Sequence, residues 1–74
     1  MKYSITGTIV ALTERVYNGE ITERQAFQQI VDFQENESCS DQQVMYCFID
    51  ALQECKNGLN LQCIHICAHL MARF

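Results

Sequence analysis

The stretch LNLQCIHICAHLMARF, residues 59–74, constrains the fold more than any other part of the chain. Its apolar residues are Leu61, Cys63, Ile64, Ile66, Cys67, Ala68, Leu70, Met71, Ala72 and Phe74. Wound as a helix, they cover nearly the whole circumference. Gln62, His65, His69 and Arg73 break that surface, and their steps of three and four align them in one thin polar stripe. A helix that is apolar almost all round is a buried helix. Something has to wrap it on most sides, either the rest of this chain or a second molecule.

The rest of the chain is short. Its 74 residues make one domain, 1–74. A domain of this size buries only roughly 60% of its unfolded surface, so a single core is marginal. Oligomerisation, disulfides or a metal are the usual remedies. Apolar residues make up 49% of the sequence, which is enough for a globular core. There is no proline, no low-complexity tract and no apolar run of membrane-spanning length.

Nine acids stand against five bases, giving a net charge of −4. Nucleic acid is a poor fit as a partner, because phosphate binding calls for clustered Lys and Arg. The N-terminus, MKYSITGTIVAL, has one Lys and a short apolar patch, and Glu14 and Arg15 follow at once. That is not the pattern of a secretory signal, so the expected compartment is the cytosol, where thiols stay reduced. Cys39, Cys47, Cys55 and Cys63 fall eight apart, and Cys67 comes four later. None forms a Cys-x-x-Cys pair, and most lie on apolar faces. They read as small buried hydrophobes.

Residues 3–17 carry two patterns. Ile5, Ile9, Leu12 and Val16 recur at helical spacing, while Tyr3, Ile5, Gly7 and Ile9 alternate with polar residues as a strand would. Helix is favoured, because its stripe reaches Val16 and meets a stop at Asn18-Gly19. Residues 21–35 open with a capping box, Thr22 with Gln25, closed by an Ile21–Ala26 staple. Ala26, Phe27, Ile30 and Phe33 form the expected buried face. Residues 40–56 repeat the device with Ser40 and Gln43, stapled by Cys39 and Val44. Val44, Cys47, Phe48, Ala51, Leu52 and Cys55 then face the core. Lys56-Asn57-Gly58 closes this helix, with Gly58 expected in a left-handed cap, and Asn60 caps the last one. The turns are short, so neighbouring helices should pair antiparallel. The expected fold is all-α: a compact bundle of three to four short helices, with the C-terminal helix buried centrally or at a dimer interface.

Chemistry is harder to find. His65 and His69, four apart on one face, have the spacing of a shared metal ligand pair, but no third ligand follows in sequence. The segment His65-Ile66-Cys67-Ala68-His69 also lacks the glutamate of the zinc-protease pattern. Cys63 and Cys67 lie on nearly the opposite side. The plainer alternative has both histidines at an exposed edge or facing acids such as Glu54 or Asp50. Cys67 beside a histidine, or Cys39 at a helix start, could act as a nucleophile. No glycine-rich donor loop or orienting acid accompanies either one. Loops that cradle phosphate or a dinucleotide are missing too. The chain reads as a non-enzyme without a cofactor.

The acids run from Glu14 to Glu54, and none follows Glu54. An acidic body therefore carries an acid-free C-terminal stretch. The hairpin 41–74, with QQVMYCFIDALQECKNGLNLQCIH, resembles the small acidic helical connector proteins that tune bacterial regulators. The likeness lies in the spacing of apolar positions alone, and no residue is carried over from it. The expected function is a small acidic cytosolic module that binds and occludes another protein, as a homodimer, without nucleic acid or membrane. Its expected contact residues are Gln62, His65, Ile66, His69, Leu70, Arg73 and Phe74. The alternative is a metal- or redox-responsive protein using the thiols and histidines of its C-terminal helices.

Overall fold

The caps legible in the sequence are the ones that start the helices. The computed structural model describes residues 5–74. Four helices follow one another: α1 (Ile5–Tyr17), α2 (Glu23–Asn36), α3 (Asp41–Asn57) and α4 (Leu61–Arg73). Thr22 precedes α2, where the Gln25 amide donates to Thr22 Oγ1 (3.1 Å) and the Thr22 amide donates to Gln25 Oε1 (2.9 Å). Ser40 and Gln43 make the same reciprocal pair ahead of α3, at 3.2 and 2.8 Å. Asn60 starts α4 by accepting from the Cys63 amide (3.1 Å). Each of these satisfies an N–H that the helix itself cannot reach. The 5–17 segment is helical, as the Ile5, Ile9, Leu12 stripe and the Asn18-Gly19 stop imply. Tyr3 and Ser4, part of the stretch read as helix, lie outside the described residues.

All three connections between helices close in the same way. At each, two backward amide bonds, six-to-one and five-to-two, tie off the last carbonyls of the preceding helix. Glu20 donates to the Arg15 carbonyl (2.9 Å) and Gly19 to that of Val16 (3.0 Å). Cys39 and Ser38 do the same to Gln34 and Glu35, and Asn60 and Leu59 to Cys55 and Lys56. This motif places one residue in left-handed backbone. Gly19 takes it freely at φ 78°, but the other two positions fall to Ser38 (φ 54°) and Leu59 (φ 56°). Gly58 is not the left-handed cap. It holds φ −78°, ψ −4°, as any residue can, and Leu59 follows it into the strained region. The helix simply runs one residue further than the glycine suggests.

That displacement has a measurable consequence. Leu59→Gly should stabilise the protein by about 1 kcal/mol, since a Cβ in left-handed backbone costs that much and the side chain is 86% exposed. Gly58→Ala should do no harm, because a Cβ there meets only the Glu54 and Cys55 carbonyl oxygens at 3.6 and 3.7 Å. Chemical denaturation of the two variants separates this account from one with Gly58 as the cap, which requires Gly58→Ala to destabilise.

The packing departs from a chain of hairpins. α1 and α4 each touch all three other helices, whereas α2 and α3, consecutive in sequence, barely touch. The first and last helices are thus the central pair, and α2 and α3 flank them. The core consists of Ile5, Ile9 and Leu12 from α1, Ala26 and Ile30 from α2, Val44, Phe48, Ala51 and Cys55 from α3, and Cys63, Cys67 and Leu70 from α4. Thr13 is the buried polar residue among them, its hydroxyl donating to the Ile9 carbonyl (2.8 Å). Phe74 folds back onto this core. Its ring stands 6.2 Å from Phe27 of α2, edge to face, and 5.9 Å from Phe48 of α3. It therefore bridges the two helices that scarcely meet elsewhere. The radius of gyration, 11.2 Å, is what close packing of so short a chain gives. The wrapping that α4 requires comes from α1, α2 and α3 of the same chain.

Candidate functional site

The sequence marked the α4 surface first. Its expected contact residues divide sharply once folded. Gln62, His65, His69 and Arg73 are exposed, as their polar stripe implies. Ile66 is half-buried. Leu70 has no exposure at all, and Phe74 is half-buried against Phe27 and Phe48. Leu70 cannot meet a partner in this fold, because its side chain is already enclosed by the chain's own helices. Phe74 spends much of its surface on the aromatic contact.

Both histidines lie at an exposed edge, one of the two placements expected for them, and the acid facing His69 is a different one. His69 Nδ1 lies 3.6 Å from Glu23 Oε2 on α2, not against Glu54 or Asp50. Arg73 lies 5.8 Å above the Phe27 ring, where the ring's negative face attracts the guanidinium. These contacts tie α4 to α2. Among the described residues, no group of three His, Cys, Asp or Glu side chains is placed to hold a metal ion. No described helix is long and apolar enough to cross a membrane.

Three of the five thiols meet inside the bundle. Cys67 is fully buried beside Thr13 and Cys55, and Cys63 adjoins them. Burial pushes the Cys67 thiol up to about 12, and the neighbouring Cys55 adds to it. Cys55 and Cys63 are raised as well, first by burial and then by nearby negative charge, including Glu14. A thiol held protonated is a poor nucleophile and a poor metal ligand. Cys39, the other thiol considered for attack, is half-buried, its Sγ 3.8 Å from the Glu37 carbonyl. All five cysteines are unpaired. Brief treatment of the native protein with iodoacetamide at neutral pH should therefore modify Cys39 and Cys47, and spare Cys55, Cys63 and Cys67 until denaturant is added. Peptide mass mapping reads the pattern directly. Rapid native labelling of Cys67 would contradict the cluster.

A feature the sequence did not announce lies at one end of the bundle. The end of α1, the end of α3 and the start of α4 enclose an open cleft of about 350 Å³. Val10 and Tyr17 line it from α1, Cys55 from α3 and Cys63 from α4, with Glu14 and Glu54 as its charged residues. Both carboxylates lie close enough to Cys55 to raise its thiol. The turn residues Gly58 and Asn60 complete it. Between them in sequence stands Leu59, with Leu61 just beyond, and both are exposed, at 86% and 70%. Tyr17 is half-exposed on the opposite helix. Two segments far apart in sequence, residues 10–18 and 54–63, build this cleft, so no local motif could have signalled it. The signal that was available is negative: LNL is an apolar turn where turns are ordinarily polar.

No family model, curated protein or solved structure matches this chain.

Proposed function

We propose that this protein is a small binding module that acts by covering a surface of another protein, and that it works in the cytosol, in keeping with its five unpaired thiols. One observation carries the reading. Leu59 is held in left-handed backbone with its side chain in solvent, Leu61 two residues on is exposed, and Tyr17 is half-exposed at the cleft that Gly58 and Asn60 line. Single exposed leucines are ordinary. A leucine that is also conformationally costly, and that contributes nothing to its own core, is not. Strained residues cluster where a surface has work to do with another molecule. Apolar side chains grouped at one end of a folded domain fit protein contact better than chemistry. The acid-rich body keeps such a molecule dispersed until it meets its partner.

The alternative, a metal- or redox-responsive protein, has less to stand on. Burial holds the Cys55, Cys63 and Cys67 thiols protonated, and the histidines lie on the other side of α4 from Cys63 and Cys67.

Affinity capture from the cells that make the protein tests the proposal. Wild type and a Leu59→Ser/Leu61→Ser variant are compared, since both positions are exposed and the variant should keep its fold. A protein retained in stoichiometric amount by the wild type and lost with the variant supports the reading. Retention unaffected by the substitutions removes it.

A further inference from the structure

We infer that the cleft between α1, α3 and α4 is the seat for a lysine or arginine side chain presented by the partner. This rests on the protein-binding reading above and names the chemistry of its other half. Glu14 and Glu54 supply the formal charges lining the cleft, and no base lines it. The nearest arginine in sequence, Arg15, is directed at Glu20, 3.6 Å away. The cleft also opens where α1 and α3 end, so the negative ends of two helix dipoles stand there against the positive end of α4 alone.

A second observation is independent of the carboxylates. Cys63 is 4% exposed and lines the cleft, and its thiol has no hydrogen-bond partner among the described residues. Its sulfur is free to accept an N–H in the wall of the cleft, and the two carboxylates decide for a cation over an anion. The walls match the rest of such a side chain. Val10 offers an apolar surface for the aliphatic stem, and the Tyr17 ring offers a face for the cation. Leu59 and Leu61, exposed and next in sequence to the lining residues Gly58 and Asn60, would then cover apolar residues beside the basic one. An acidic or phosphate ligand is repelled by the same arrangement. The whole-chain charge of −4 draws basic surfaces toward this protein before contact is made.

The probe is a capped tripeptide, acetyl-Leu-Arg-Leu-amide, titrated into the full-length protein while amide resonances are followed by NMR. Acetyl-Leu-Gln-Leu-amide and acetyl-Leu-Glu-Leu-amide serve as neutral and acidic controls. The arginine peptide should move amides within residues 10–18 and 54–63, saturably. Glu14→Gln/Glu54→Gln should weaken it by about tenfold or more, the effect of losing one charge-assisted contact. Both glutamates are exposed, so thermal melting of the variant should match wild type. Equal binding of the glutamine peptide, or undiminished affinity in the double variant, overturns the assignment. So do shifts scattered over the whole surface. If the same amides move on concentrating the protein without peptide, a basic residue of a second copy fills the cleft, and a separate partner is ruled out as its occupant. Peptide failure alongside Leu59-dependent capture sinks the cleft and leaves the binding module standing. Arginine binding without any captured protein does the reverse.

Discussion

Leu70→Asp is expected to leave the chain without a cooperative unfolding transition at room temperature. Leu70 has no exposure and sits among all three other helices through α4. An aspartate there is either charged without a partner or protonated in a cavity shaped for leucine. Either way the cost is several kcal/mol, comparable with the whole stability of a domain this small. Circular dichroism through a thermal ramp reads the outcome. Ile64→Asp sets the scale. From the sequence alone the two positions look equivalent, since both lie on the apolar part of the last helix. In the fold Ile64 is half-buried, so its charge keeps access to water, and that variant should still melt cooperatively at a lowered temperature. Equal behaviour of the two would mean that α4 is not enclosed as described.

Phe48→Ala is the second large effect. Phe48 is the largest fully buried side chain, and its ring contacts Phe74 at 5.9 Å. Its removal should cost about 3–5 kcal/mol, part transfer and part cavity. The loss should exceed that of Phe74→Ala, whose ring is half-buried. The two losses should also fall short of additivity when combined, because each deletes the other's contact. Urea titrations of the two single variants and the double variant measure the coupling. Full additivity would separate the rings and remove the bridge between α2 and α3.

Much of this architecture was legible in residues. The boundaries follow from Thr22, Ser40 and Asn60, whose side-chain oxygens satisfy amides within reach along the chain, and local sequence is enough to recognise them. What escaped was decided by neighbours distant in sequence. Gly58 invites a left-handed cap, but one further residue of helix passes that duty to Leu59. Leu70 lies on an apolar face like Ile64, and only the position of the three enclosing helices distinguishes them. Thr13 carries no sequence mark of burial, and its hydroxyl bonds back to the Ile9 carbonyl, which lets it be buried. The cleft is assembled from two stretches far apart in sequence, so its acids appear there as ordinary solvated positions.

The pairing of α1 with α4 also bears on how the protein is made. In a meander of hairpins, each new helix finds its partner already synthesised beside it, and order accumulates as the chain emerges. Here the opening helix contacts the closing one, and the part of its apolar face that α2 and α3 do not cover stays unsatisfied until α4 has cleared the ribosome. Nascent chains lacking the final segment should thus be substrates for chaperones and proteases, and closure should come late and all at once.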